Sequence, residues 1–355
     1  MYGYKGGKTY IILGILIVFL AVSIITVISI GSARISIGTV YKILADKILY
    51  GGRGLAGGIY KNSDYQIVWN IRLPRVIMGM AAGSGLAICG AAMQSLLLNP
   101  IADPYILGVS SGASAGASLA LLFPMGLFIG GYQVTIFAMF GALGASFLVY
   151  TMALAGSGKK IQSITLLLSG MAVNAMMTAI TSLLIFLAKS NEGIAAVYNW
   201  QMGSIASAQW KTLAVSILTV MTAAVFFILK YRDFNLIMMG EEEAIALGLK
   251  VTRFRLVTAL FITLVIASLV SVSGIIGFVG LIVPHMARFL CRTSNNKVIF
   301  SFSLVLGAIF LIWADTLSRS GFGSAELPIG IVTAFVGGPF FLYLMIKKNY
   351  SKGKV

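Results

Sequence analysis

Apolar residues along the chain fall into ten long runs separated by short polar segments. A helix that crosses a bilayer needs about 20 mostly apolar residues. The runs accordingly predict spanning helices at approximately 10–30, 72–96, 105–123, 131–155, 161–188, 212–230, 255–275, 277–291, 297–317 and 327–346. The third and eighth are short or broken by glycine, as expected of partial spans buried among other helices. The first follows Lys5 and Lys8 and could be a secretory leader, but its apolar core exceeds the roughly 7–15 residues of such a leader, so a retained helix is expected. The pattern predicts an all-α polytopic membrane protein forming one transmembrane domain over residues 1–355.

Composition supports that reading. Of the 355 residues, 59% are hydrophobic and 10% charged, whereas a soluble domain carries about 25% charged residues. The net charge of +16 would point a soluble protein towards nucleic acid, but no compact basic domain is present. Most basic residues lie between the apolar runs. With both termini inside, the inner segments collect Lys5, Lys8, Lys159, Lys160, Lys230, Arg232, Lys250, Arg253, Arg255, Arg288, Arg292, Lys297, Lys347, Lys348, Lys352 and Lys354, in keeping with positive charge at the cytoplasmic face. The outer cluster between Arg34 and Arg75 runs against that rule. Cys89 and Cys291 and the single His285 do not make a disulfide framework or a metal site. Gly79 with Gly83, and Gly112 with Gly116, are small-xxx-small pairs that let helices approach closely in lipid.

Catalytic chemistry is missing. The nearest approach to a phosphate-binding loop, Gly3-Tyr4-Lys5-Gly6-Gly7-Lys8-Thr9, is one residue short and has no strand to present it. No acid pair or triad suggests catalysis. A secondary transporter would keep acids or histidines at membrane depth. Only Asp315 approaches that, and it stands four residues before Arg319, as for a helical ion pair. The spans instead carry neutral polar groups such as Gln94, Asn174, Thr178 and Ser182. They suit a weakly polar passage or interhelical hydrogen bonds.

Three segments stand out. Arg72-Leu73-Pro74-Arg75 opens the second span, with Pro in a first turn; its arginines could simply anchor at the interface. Asn99-Pro100-Ile101-Ala102-Asp103-Pro104 ends a helix and turns the chain. Gly240-Glu241-Glu242-Glu243-Ala244-Ile245-Ala246-Leu247-Gly248-Leu249 reads as a short helix, acidic at its start and ended by Gly248, either docked on a partner or solvated.

These segments resemble those of the FecCD-type permeases, importers of iron-siderophores, haem and vitamin B12. The likeness runs from Arg72–Arg75 through Gly90-Ala91-Ala92-Met93-Gln94, Asn99 to Gly108 and Gly240 to Leu249. It continues through Gly277-Phe278-Val279-Gly280-Leu281-Ile282-Val283-Pro284-His285, Ala314-Asp315 and Glu326-Leu327-Pro328-Ile329-Gly330. The resemblance implies a type II ABC importer permease with about ten helices, in the membrane of a prokaryotic cell, working as a dimer around a shared path. It implies two partner ATPase subunits that carry ATP and Mg, a binding protein outside, and no cofactor, metal or enzymatic activity on this chain. Gly240, Glu241, Glu242, Ala244, Leu247, Gly248 and Leu249 would couple to the ATPase. Arg72, Arg75 and Arg319 would dock the binding protein. Asn99, Pro100, Ile101, Gln162, Ser163 and Thr165 would form the inner gate, with Asn174 on the path. The cargo implied is a ferric siderophore or similar iron chelate, with vitamin B12 or haem as alternatives. Residues 31–71, with Gly51-Gly52 and Gly57-Gly58, match no part of the family pattern.

Overall fold

A computed structural model of the chain describes residues 6–352 apart from 32, 34, 53, 55–57, 124–131, 157–161 and 322–325, with side chains described for residues 7–343 of these. Lys5, Arg34, Gly57, Lys159, Lys160, Lys354 and the start of the Gly3–Thr9 segment lie outside the described residues, as do the side chains of Lys347, Lys348 and Lys352.

The elements are α1 (Gly6–Ser29), α2 (Ile37–Tyr50) and α3 (Asn62–Tyr65), which runs through a π turn (Gln66–Arg72) into α4 (Leu73–Leu96). A 3₁₀ turn (Pro104–Leu107) leads into α5 (Val109–Leu122), then α6 (Gln133–Gly156), α7 (Ser163–Phe186), α8 (Asn191–Gln201), α9 (Trp210–Leu229) and α10 (Tyr231–Ile237). The chain ends with α11 (Glu241–Ala246), α12 (Val251–Ser273), α13 (Val279–Cys291), α14 (Asn296–Ser320) and α15 (Ile329–Lys352). Each of the ten apolar runs becomes a helix. Among the described residues, seven helices are long and apolar enough to cross a membrane, and α5, α13 and the apolar part of α15 are shorter.

The third run begins later than its apolar pattern implies. Asp103 caps the 3₁₀ turn by accepting from the Tyr105 N–H at 2.8 Å, and Gly108 (φ 75°) re-aims the chain before α5. Residues 31–71 are not a plain connection. Ser36 caps α2 through the Thr39 N–H, and Gly51 (φ 68°) ends it. Asp46 is buried, accepting from the Gly54 N–H at 2.9 Å and the Tyr60 hydroxyl at 2.5 Å. Burial, with Asp46 beside it, pushes the Tyr60 hydroxyl up to about 12, so it remains a donor. The Lys47 ammonium stands 5.9 Å and 5.8 Å from the Tyr65 and Trp69 ring centres, a cation–π placement that gives one basic residue of this face a local partner.

Helix α4 is the axis of the bundle. Its middle packs on α14, α13, α12 and α9, and glycines set the approach. A side chain at Gly83 would strike the Gly307 carbonyl of α14, and one at Gly90 the Gly280 carbonyl of α13. The predicted pair Gly112 and Gly116 likewise meets the backbone of α6 at Gly141 and Phe137. Gly83→Val is therefore expected to cost about 1–3 kcal/mol or more, the usual penalty of overpacking. Gly144, which faces open space on α6, should accept alanine without loss. Thermal unfolding of the two variants in detergent compares them directly. A second apolar cluster joins α1, α2 and the start of α4 to Ile312 and Trp313 of α14.

Candidate functional site

At one end of the bundle, α1 stops at Ser29. The last carbonyls of any helix lack intrahelical donors, and cations are favoured beside them. Arg72 and Arg319 fill that role. Arg72 donates to the Ile28 carbonyl at 2.7 Å, Ser29 at 3.1 Å and Ala33 at 2.6 Å. Arg319 donates to Ile30 and Val27. Between them, Arg75 holds Asp315 through Nε at 3.0 Å and Nη2 at 2.9 Å, and reaches Glu326 through Nη1 at 3.0 Å. Asp315 also lies 3.5 Å from Arg319, the i,i+4 pair its spacing predicts.

This geometry bears on the role expected of the three arginines. The family likeness presents Arg72, Arg75 and Arg319 as docking cations for a partner. Instead, their side chains turn inward: Arg72 and Arg75 are only 5% and 7% exposed, and the Arg319 side chain 6%. Of this cluster Glu326 stands out, its side chain half exposed.

Along the second half of α7, a cavity of about 570 Å³ opens beside the 3₁₀ turn, α5 and α8. Asn174, Thr178 and Ser182 line it from one face of α7, the face their four-residue spacing defines. Ser111 donates to Asn174 at 2.6 Å, and Gln201 of α8 donates to Ser114 at 2.8 Å. The Tyr105 hydroxyl donates to the Ile276 carbonyl at 2.9 Å. Asp103 is the one ionisable acid of the lining, and no lysine or arginine joins it among the described residues. Hydroxyls and amides in this number cannot be satisfied by lipid tails, so the open side calls for water or another protein surface.

Of the expected gate and path residues, Asn174 alone lines this cavity. Asn99 forms a turn after Leu98 (φ 52°), its Oδ1 accepting from the Ile101 N–H at 3.1 Å, and leaves Pro100 and Ile101 exposed. Gln162 stands exposed at the start of α7, with Ser163 and Thr165 half-buried behind it. Gln94 serves packing rather than passage. Pro284 cannot donate to the Gly280 carbonyl one turn back, and the Gln94 amide donates there instead at 3.3 Å, while its oxygen accepts from Arg288 at 2.6 Å.

At the opposite end from Arg75, α11 forms as the sequence implies. Gly240 (φ 136°) and Gly248 (φ 89°) take conformations that side-chain-bearing residues rarely adopt. Ala244 is fully buried, whereas Ile245 and Leu247 are 55% and 61% exposed. The mount is rigid. Phe234 of α10 is buried among Phe227, Phe254 and Phe300 with ring centres 5.8, 4.9 and 5.0 Å away. Asn235 accepts from the Asn296 backbone at 2.9 Å.

Sequence reasoning missed Ser111, Ser114 and Gln201, and it did not single out Asp103. The serines sit in a Gly/Ala/Ser run that reads as tight packing, and α8 lies in a segment with no spanning signal. The four-residue recurrence of Asn174, Thr178 and Ser182 was the available sign of a polar face.

Comparisons with known proteins agree with this layout. The profile of the FecCD transport family matches residues 16–347. The ABC transporter permease protein YvrB of Bacillus subtilis is 37% identical, over 93% of this chain and 92% of its own. The hemin transport system permease protein HmuU of Yersinia pestis is 36% identical, over 80% and 85%. The cobalamin import system permease protein BtuC of Halobacterium salinarum is 40% identical, over 79% and 73%. A solved structure described as a metal-chelate type ABC transporter in an inward-facing conformation superposes with a TM-score of 0.80 at 27% identity, covering 95% of this chain and 99% of that one. The helical bundle is thus that of a type II ABC importer permease, and the chain belongs to the FecCD transport family.

Proposed function

We propose that this chain is the membrane-spanning permease subunit of an ABC importer that carries a ferric siderophore or similar iron chelate. Two copies face each other, and their cavities beside α7 join into one passage. A binding protein outside the membrane delivers the cargo, and two ATPase subunits dock on the α11 segments and carry ATP and Mg. Both termini lie in the cytoplasm of a prokaryotic cell. The observation that carries this reading is the pairing of an open polar cavity beside α7 with the exposed Ile245 and Leu247 of α11 at one end of the bundle. The first needs a closing surface, and the second offers apolar side chains to a partner. ATP binding would move α11 and bias the bundle between two packed arrangements.

Docking of the binding protein is proposed at the Arg75 end. There, three guanidiniums against the carboxylates of Asp315 and Glu326 leave a positive field that attracts acidic lobes. Arg72, Arg75 and Arg319 act through that field and by fixing the rim. Haem and vitamin B12 are the nearest alternative cargoes, on the strength of the hemin and cobalamin relatives.

The test is ATP hydrolysis and uptake in proteoliposomes holding this chain, its cognate ATPase and the binding protein charged in turn with ferric siderophore, haem or cobalamin. Hydrolysis that requires the chain and rises with one loaded binding protein is expected, and it identifies the cargo. Uptake that persists without the ATPase would overturn the reading in favour of a secondary transporter.

A further inference from the structure

Arg255 sits in the second turn of α12, with its side chain 2% exposed. A cation so enclosed needs partners, and two of them come from different elements. Nη2 lies 2.9 Å from Glu241 Oε2, at the first residue of α11. The same nitrogen donates to Ser163 Oγ at 3.2 Å, at the first residue of α7. The helix that presents Ile245 and Leu247 and the helix that carries Asn174, Thr178 and Ser182 along the cavity therefore meet on one guanidinium nitrogen.

The surroundings suit this contact to the role of a link. α10 holds the neighbouring chain firmly through Phe234 and Asn235. α11 itself is a short helix set between two glycines, Gly240 and Gly248, both in the positive-φ region, and it is anchored by the buried Ala244. α7 has one face in the bundle, with Leu166, Gly170 and Val173 buried, and another on which Ile164, Leu168, Met171 and Met176 are exposed. At its start Gln162 makes no side-chain cap, and Arg255 supplies a side-chain bond to the first residue of the helix. A shift of Glu241 by even one ångström lengthens a charged hydrogen bond that weakens steeply with geometry. Arg255 then follows Glu241 or releases it, and in either case Ser163 feels the change.

We infer that Arg255 is a positioning residue that transmits the position of α11 to the start of α7, so that movement at the docking helix is felt at the helix lining the cavity. This rests on the permease reading above. Glu241 supplies the charge that sets Arg255, and Ser163 reports it to α7.

The experiment measures cargo transported per ATP hydrolysed, in proteoliposomes with the full complex of chain, ATPase and loaded binding protein. Arg255→Met keeps the length of the side chain and removes the charge; the transported cargo per ATP is expected to fall at least tenfold. Ser163→Ala, which leaves the Arg255–Glu241 pair in place, is expected to lower the same ratio several-fold. Arg255→Lys, able to reach one partner at a time, should recover part of it. A merely structural role would lower hydrolysis and transport in proportion and leave the ratio unchanged. If Arg255→Met does not assemble, Ser163→Ala decides alone. An unchanged ratio in Ser163→Ala, or in an assembled Arg255→Met, overturns the inference. Absence of ATP-dependent uptake by the wild-type complex overturns the permease reading instead, and the two failures are distinct.

Discussion

Arg75→Ala is expected to destabilise the chain by about 3–5 kcal/mol, the usual cost of removing one partner of a buried ion pair. Asp315 is 2% exposed and takes two of the Arg75 nitrogens. Without Arg75 its remaining cation is Arg319, at 3.5 Å and already committed to the carbonyls of α1. The loss reaches further than α4, because Arg75 also ties Glu326, and thereby the approach to α15, to the bundle. Charge reversal at Arg75 should be worse still, since it places a third carboxylate beside Asp315 and Glu326. Glu326→Gln is the matched control. Its side chain is half exposed, and an exposed pair contributes about 0–1 kcal/mol. Thermal unfolding of the purified variants in detergent separates the two cases. A fully stable Arg75→Ala that has lost only binding-protein capture would restore these arginines to the role of direct docking contacts.

The contrast shows where the sequence is readable and where it is not. The ten helices of the apolar runs follow from run length alone, because a membrane demands an uninterrupted apolar stretch and a helix to satisfy its backbone, though only seven of them are long enough to cross it among the described residues. The close approach of α4 and α14 was foreshadowed by Gly83, though its partner Gly307 was not. The fate of the arginines was hidden. Whether Arg72 faces water depends on carbonyls at Ile28 and Ser29, more than forty residues earlier, and for Arg319 on Val27 and Ile30, almost the whole chain away. No local pattern encodes that meeting. Helices α2, α8 and α10 were likewise unread as elements, being short and only partly apolar. The cavity was half legible. Asn174, Thr178 and Ser182 fall on one helical face by spacing, but Ser111, Ser114 and Gln201 join them only through packing of α5 and α8.

Leu247→Asp, combined with Ile245→Asp, is expected to abolish ATP-driven uptake while leaving the stability of the isolated chain unchanged. Both side chains are more than half exposed at α11, so neither holds the bundle together. Ala244 is the buried residue of that helix and stays untouched. At the centre of an interface, truncation of a well-packed apolar anchor costs on the order of 2 kcal/mol or more, and a carboxylate forced against an apolar cleft adds its desolvation. Together the two substitutions should weaken capture of the ATPase by roughly a thousandfold, on that hot-spot scale. The check is twofold. Co-purification of the ATPase with the double variant should fail, and the thermal midpoint of the chain alone should match wild type. Retained capture with normal uptake would mean that α11 is a solvated loop and that the ATPase grips another surface, which would remove the support for Arg255 as a link between α11 and α7. Loss of capture with an unchanged midpoint would instead confine the defect to the docking face, leaving the polar cavity beside α7 and the arginine cluster at the far end as intact parts of a permease that has lost its motor.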